Sequence, residues 1–389
     1  MATCFEQEGS LFNFVVRDGN GVKGLVDSGI SKVPDQYIQP PNERIPELSI
    51  DRQQYFQHVA PIDLSLLDGP SHDQAAEAIV KATESVGFFQ VVNHGVPIQL
   101  LESLKDSAHR FFGQPAEKKA VYLKGVSPSP LVKYATSFAP DCEKSLEWRD
   151  YISMAYTTDG DALNHWPNHC KEVALEYVKT TRRMVEKIME VLIGHLLGVT
   201  ADEDEYQSRV AELVGALTDV RGVNMNFYPR CPNPDLTVGV GRHCDPGTLT
   251  VLLQDGIGGL YVKLEEEDEQ DHQHKDKATA GIKQPQWMEV PPIPGALVIN
   301  VGDVLEIISN GRYKSAEHRV RTTSIQSRVS ILLFTTPPHT HKIGPLPQLV
   351  DRDGAARYRD LVFLDYFSNY FTNAHKGKKA LDYAKITSL

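Results

Sequence analysis

The chain has 389 residues, 41% hydrophobic and 23% charged, which excludes a disordered or fibrous protein. No apolar run approaches the roughly 18 residues of a membrane-spanning helix, and a net charge of -11 argues against non-specific nucleic-acid binding. Five cysteines without a Cys-x-x-Cys pair argue against a disulfide framework and for a reducing compartment.

Residues 1–58 read as an N-terminal arm. A short helix is expected near Val22–Asp27, and Pro34, Pro40, Pro41 and Pro46 enforce extended chain beyond it. The first ten residues carry Glu6 and Glu8 and no basic-then-apolar leader, so a cytoplasmic location is expected. The final Thr387-Ser388-Leu389 is only a weak match to a peroxisomal tail. Residues 59–205 form a helix-rich region. It comprises a strand at Ala60–Leu64, a helix over His72–Ser85, a strand at Gly87–Asn93, a helix from about Ile98 to Phe112, a Ser- and Pro-rich loop, and a long helix over 170–198.

Residues 206–345 change character. Short apolar runs at Val223–Tyr228, Leu249–Gln254, Leu260–Lys263, Ala296–Asn300 and Val329–Phe334 alternate with Gly, Asp, Asn and Pro. Many short strands with turn signals predict a jelly roll. The fold class expected is α+β, with an all-β core flanked by long helices. An insertion at 265–286 interrupts the core. Its acidic run Glu265–Asp271 supplies six negative charges and leads into His272-Gln273-His274, which reads as a polar loop. Residues 346–389 are expected to be a C-terminal helical segment.

Fourteen histidines are present, and few are informative. His243 and Asp245 are two apart, so on a strand they share one face. His318 opens another expected strand. Two His and one carboxylate on one face match a facial triad that leaves metal positions open. Ten residues after His318, Arg328 and Ser330 again share a face; the Arg fork fits a carboxylate bidentately. Asn226 and Tyr228 share a face upstream, and the Tyr228 hydroxyl offers a further donor. His94 reads as a structural turn residue, and Cys142 and Cys231 as inert.

These residues carry a resemblance. The chain resembles the plant 2-oxoglutarate/Fe(II)-dependent dioxygenases from about Val59 to Lys385. It does so through Gly87–Gly95, Asn226–Pro234, the His243-Cys244-Asp245 motif, Asn310–Arg319 and Arg328-Val329-Ser330. The resemblance implies a double-stranded β-helix. It implies iron on His243, Asp245 and His318, and 2-oxoglutarate on Arg328, Ser330, Tyr228 and Asn226. Fe(II), 2-oxoglutarate and O2 would be used, with ascorbate supporting activity. The spacing from His243 to His318 exceeds the family's habit by about 20 residues, which the insertion accounts for at small entropic cost.

Positions that resemble the substrate pocket of relatives are Tyr151, Ser153, Asn224, Cys244, Phe334 and Thr336. Phe334 shares a strand face with Ser330 and would present its ring to an aromatic substrate. Cys244 is expected to point away from the metal and to approach substrate. Lys144–Tyr151, Pro234–Arg242 and Ile343–Pro347 look most like the feruloyl-CoA ortho-hydroxylase group. The resemblance therefore implies hydroxylation of an aromatic plant metabolite. The best expectation is ortho-hydroxylation of feruloyl-CoA or coumaroyl-CoA toward coumarins such as scopoletin. Lys133, Arg149, Arg242, Arg312 and Lys314 would then form a basic rim for the CoA thioester. Alternatives are a hydroxylase or demethylase acting on a benzoxazinoid glucoside or flavonoid, or a 2-oxoglutarate-independent oxidase. A monomer without nucleic-acid or membrane partners is expected.

Overall fold

The computed structural model describes residues 10–45, 60–137, 140, 143–198, 203–264, 287–372 and 377–386. The insertion at 265–286, Cys142 and Thr387–Leu389 lie outside them.

The strands run, in chain order, β1 (Ile62–Asp63), β2 (Phe88–Val92), β3 (Val132–Thr136), β4 (Asp150–Ala155), β5 (Asp219–Tyr228), β6 (Val240–His243), β7 (Leu249–Gln254), β8 (Leu260–Lys263), β9 (Trp287–Glu289), β10 (Leu297–Val301), β11 (His318–Val320) and β12 (Arg328–Thr336). A short pair, β13 (Lys342–Ile343) with β14 (Leu361–Val362), follows. One large sheet has the order β1-β2-β10-β7-β12-β5-β4-β3, and a smaller one the order β6-β11-β8-β9. All pairings are antiparallel except β1 with β2. Apolar residues of both sheets, among them Phe88 and Leu252 on one side and Val240 and Val262 on the other, pack into a shared cluster. This is the expected jelly-roll core, built by strands with inward-facing aliphatic residues.

The expected flanking helices are present at His72–Ser85, Ile98–Phe112 and Lys171–Leu197. The last buries Ala174, Val178, Val185, Ile188 and Leu192, a 3.6-residue stripe that lies against the core. Burial of such side chains contributes about 1.5–3 kcal/mol each.

Two features differ from the sequence reading. The segment expected as a Ser- and Pro-rich loop contains β3 and β4, which extend the large sheet beyond β5. Val132, Tyr134 and Thr136 alternate as buried positions along β3, a period-2 signal interrupted on both sides by turn residues. A helix over Glu203–Leu217 spans the expected boundary at 205/206, so strand pairing begins only at Asp219. The arm is also more ordered than an extended chain. Its helix Gly21–Asp27 presents the Val22 and Lys23 N–H groups to the buried Asp150 carboxylate at 2.7 and 2.9 Å.

Gly87 joins the helix His72–Ser85 to β2 at φ +76, and a Cβ there would collide with the Lys314 carbonyl. That carbonyl belongs to the loop leading to His318. Gly87→Ala is therefore expected to destabilise the fold by about 2–4 kcal/mol. Urea unfolding would show this as a lowered midpoint at constant slope.

Candidate metal centre

The pairing of β6 with β11 sets His318 directly opposite His243. Each imidazole is oriented by its backbone. His243 Nδ1 lies 2.9 Å from the Gly241 carbonyl, and His318 Nδ1 lies 3.1 Å from that of Ala316. Donation from Nδ1–H leaves each Nε2 as the lone-pair nitrogen. The two Nε2 atoms lie 3.7 and 3.8 Å from Asp245 Oδ1. Phe88 meets the His318 ring edge-on at 5.2 Å and restrains it from the large sheet.

Asp245 follows the end of β6 by two residues. Its Oδ2 accepts from Thr250 Oγ1 at 2.6 Å on β7 and from Asn300 Nδ2 at 2.8 Å on β10. Oδ1 is thereby left turned to the imidazoles. Burial pushes this carboxyl up, but the two imidazoles and these hydrogen bonds outweigh it and hold it below the usual carboxylate range. One ligand atom from each of His243, Asp245 and His318 lies within 4.8 Å of the others. Two imidazole nitrogens and one carboxylate oxygen on one side of a point are the donor set of a non-haem iron site.

A cavity of about 80 Å3 opens on this triad. Cross-strand register explains its walls. Asn226 of β5 stands opposite Ser330 of β12, and Ser330 opposite Gln254 of β7. One step along, Asn224, Leu332 and Leu252 form the next row. At the inner row Arg328 is 1% exposed. Its Nε donates to the Ile257 carbonyl at 3.1 Å and its Nη2 to Gln254 Oε1 at 2.9 Å. Nη1 is buried without a hydrogen-bond partner, and among the described residues no carboxylate pairs with this guanidinium.

Known proteins agree with this geometry. Residues 221–337 match the family model of the 2OG-Fe(II) oxygenase superfamily. Residues 59–169 match the model described as non-haem dioxygenase in morphine synthesis N-terminal. Scopoletin 8-hydroxylase of Arabidopsis thaliana is 54% identical over 99% of both chains. The chain belongs to the 2OG-Fe(II) oxygenase superfamily. A feruloyl CoA ortho-hydroxylase of Ipomoea batatas is 43% identical over 97% of both chains. The solved structure of JOX2 in complex with 2OG, Fe and JA superposes with TM-score 0.73 at 31% identity, covering 94% of this chain and 97% of that one.

The oxygenase uses Fe(II) and 2-oxoglutarate, and its residues fit both. The triad offers the donor set just described. The unpartnered Arg328 Nη1 is a buried donor on an uncompensated buried charge, a costly arrangement unless an anion completes it. A carboxylate does so. No helix among the described residues is long and apolar enough to cross a membrane.

Of the substrate positions expected from sequence, Asn224 and Phe334 line the cavity. Tyr151 stands in the Asn226 row, but its ring is covered by the Arg149 guanidinium at 5.0 Å. Ser153, Cys244 and Thr336 are not among the lining residues. The Cys244 thiol, expected to point away from the metal and to approach substrate, lies 3.5 Å from the Ser315 carbonyl, and burial pushes it well up from an ordinary thiol. His94 is a turn residue as expected; its Nδ1 accepts from the Val96 N–H at 3.1 Å.

The oxygenase also employs residues that the motif reading passed over: Thr250, Gln254, Asn300, Phe88, and Arg149 as a cavity wall rather than a rim residue. Thr250, Leu252 and Gln254 alternate along β7 on one face, and that period was the available signal. Residues that orient a metal ligand typically cost about 10–100-fold in metal affinity when removed. Asn300→Leu and Thr250→Val are each expected to weaken Co(II) binding by that factor, read from the absorption of the bound ion during titration. Wild-type affinity in both would contradict the orienting role.

Proposed function

We propose that this oxygenase hydroxylates the ring of an oxygenated coumarin of the scopoletin type. His243, Asp245 and His318 hold the iron. Arg328, with Ser330 and Tyr228, takes the distal carboxylate of 2-oxoglutarate, and Asn226 braces Ser330 at 3.4 Å. Bound iron with 2-oxoglutarate and O2 supplies the oxidising power: one oxygen atom enters the substrate C–H bond, the other enters succinate, and CO2 leaves. The chain's own task is to hold these groups, to turn one ring edge toward the metal, and to exclude water. Phe88, Leu252, Leu260, Leu332 and Phe334 supply the apolar wall for that.

The observation that carries this reading over a CoA ester concerns the basic rim. A CoA thioester brings phosphates that need unspent cations at the mouth. Arg312 forms a two-bond pair with Asp353 at 2.9 and 2.5 Å. Arg242 lies 3.1 Å from Glu43 and 3.5 Å from Glu317. Arg149 pairs with Glu147 at 2.6 Å, and Lys133 lies over the Tyr151 ring. Lys314 Nζ donates to the Gly311 carbonyl at 3.4 Å, so all five expected rim residues are engaged within the protein. A neutral bicyclic ring needs none of them. The 54% identity to scopoletin 8-hydroxylase, against 40–43% to feruloyl CoA ortho-hydroxylases, supports the same choice.

The second reading, ortho-hydroxylation of feruloyl-CoA, rests on that 43% identity over nearly the whole chain. Incubating the purified chain with Fe(II), ascorbate, 2-oxoglutarate and scopoletin should yield a product one oxygen heavier, with succinate formed in equal amount. Product from feruloyl-CoA alone would establish the second reading instead.

A further inference from the structure

A second arginine lines the cavity, and it differs from Arg328 in its charge balance. Arg149 immediately precedes β4, its side chain is 11% exposed, and it lines the cavity that holds the triad. Its Nη2 donates to Glu147 Oε2 at 2.6 Å and its Nη1 to Asn226 Oδ1 at 3.3 Å. Its Nε is buried and has no hydrogen-bond partner among the described residues. Glu147 is itself fixed, since its Oε1 accepts from the Gly241 N–H at 2.8 Å. Burial alone would pull the guanidinium down, but Glu147 more than offsets this, so Arg149 is charged at any working pH.

Asn226 joins the two arginine sites. Its carbonyl accepts from Arg149 while its amide donates to Ser330, beside Arg328 in the adjoining strand. That pattern fixes the amide's orientation and gives its two ends to different sides of the cavity. Arg328 has no carboxylate partner and suits an anion. Arg149 already has one, and of its three nitrogens only Nε is without a partner, on a neutralised pair. A donor on such a pair suits a neutral oxygen acceptor, such as the carbonyl, methoxy or phenolic oxygen of an aromatic ring system. It is poorly suited to a second carboxylate beside Glu147.

We infer that Arg149 is a specificity-determining residue whose Nε–H receives an oxygen of the aromatic substrate, while Arg328 receives 2-oxoglutarate. The inference rests on the coumarin reading above for the identity of that substrate. A site built to bond an oxygen discriminates against ligands that leave its donor unpaired. The residue therefore sets both affinity and the ring edge presented to the metal.

The test uses the full-length enzyme loaded with Fe(II) under anaerobic conditions, so that binding is read without turnover. Equilibrium dialysis measures the dissociation constants of scopoletin and of 2-oxoglutarate separately. Arg149→Met is expected to weaken scopoletin binding by about tenfold or more, the loss of one hydrogen bond to a charged donor. The 2-oxoglutarate constant should move less than about threefold. Because Arg149→Met leaves Glu147 unpaired, the double variant Arg149→Met/Glu147→Gln removes the pair together; it should show the same split. Unchanged scopoletin binding in a folded variant overturns the inference, and so does an equal loss for both ligands. If the wild-type chain binds and converts feruloyl-CoA and not scopoletin, the coumarin reading has failed. Arg149 is then judged by the same split measured with feruloyl-CoA.

Discussion

Asp245→Ala is expected to reduce turnover to background while leaving the fold in place. Asp245 is the only carboxylate among the three grouped donors, so its loss removes the charge that pairs with a divalent metal. The imidazoles retain their backbone acceptors at Gly241 and Ala316, and the strand pairing of His318 with His243 does not depend on the carboxylate. Thr250 and Asn300 would lose their shared acceptor, a cost of about 1–3 kcal/mol per stranded donor, which a domain of ordinary stability survives. Changes in residues that merely orient a ligand cost about 10–100-fold in metal affinity, so loss of a ligand itself should exceed that range. Metal titration together with succinate formation checks the prediction. A variant that still binds Co(II) like the wild type and decarboxylates 2-oxoglutarate would refute the triad.

Arg328→Met should produce the second large effect. In the folded chain this guanidinium is held by Ile257 and Gln254 and lies 5.1 Å from the Tyr228 ring, so it is placed before any ligand arrives. Charge-assisted bonds contribute about 1.5–3 kcal/mol each, so a bidentate pair to a carboxylate amounts to roughly 3–6 kcal/mol. At about 1.4 kcal/mol per decade, the KM for 2-oxoglutarate should rise by roughly 10^2–10^4-fold. Arg328→Lys keeps the charge but loses the fork, and should fall between the wild type and Arg328→Met. Steady-state rates at varied 2-oxoglutarate give the answer; an unchanged KM in Arg328→Met would place the cosubstrate elsewhere.

Much of this site is legible in the sequence. His243-x-Asp245, His318 and Arg328-x-Ser330 are short-range patterns on strands, where a two-residue step fixes a shared face. The helices at His72–Ser85, Ile98–Phe112 and Lys171–Leu197 were legible because an apolar stripe at helical period is a strong local signal.

What escaped notice depends on register between distant strands. Nothing near Thr250 or Asn300 in the sequence announces that both reach Asp245, because β7 and β10 are brought beside it only by sheet pairing. Arg149 read as a rim charge because its position relative to Asn226 requires β4 to pair with β5, and β4 lay in a stretch whose Ser and Pro content suggested a loop. The partners of the rim residues Arg242 and Arg312 were not legible because Glu43 and Asp353 are far away in the chain.

The central claim, that this oxygenase acts on a free coumarin rather than a CoA ester, is tested most directly by competition. Scopoletin and feruloyl-CoA are supplied together at equal concentration with Fe(II), ascorbate and limiting 2-oxoglutarate. Mass spectrometry then follows the appearance of each product. The product ratio is the ratio of kcat/KM values, independent of enzyme loading. Hydroxylated scopoletin should exceed the feruloyl-CoA product by at least about a hundredfold, the discrimination expected when one substrate leaves several buried contacts unmade. A ratio at or below one would contradict the account.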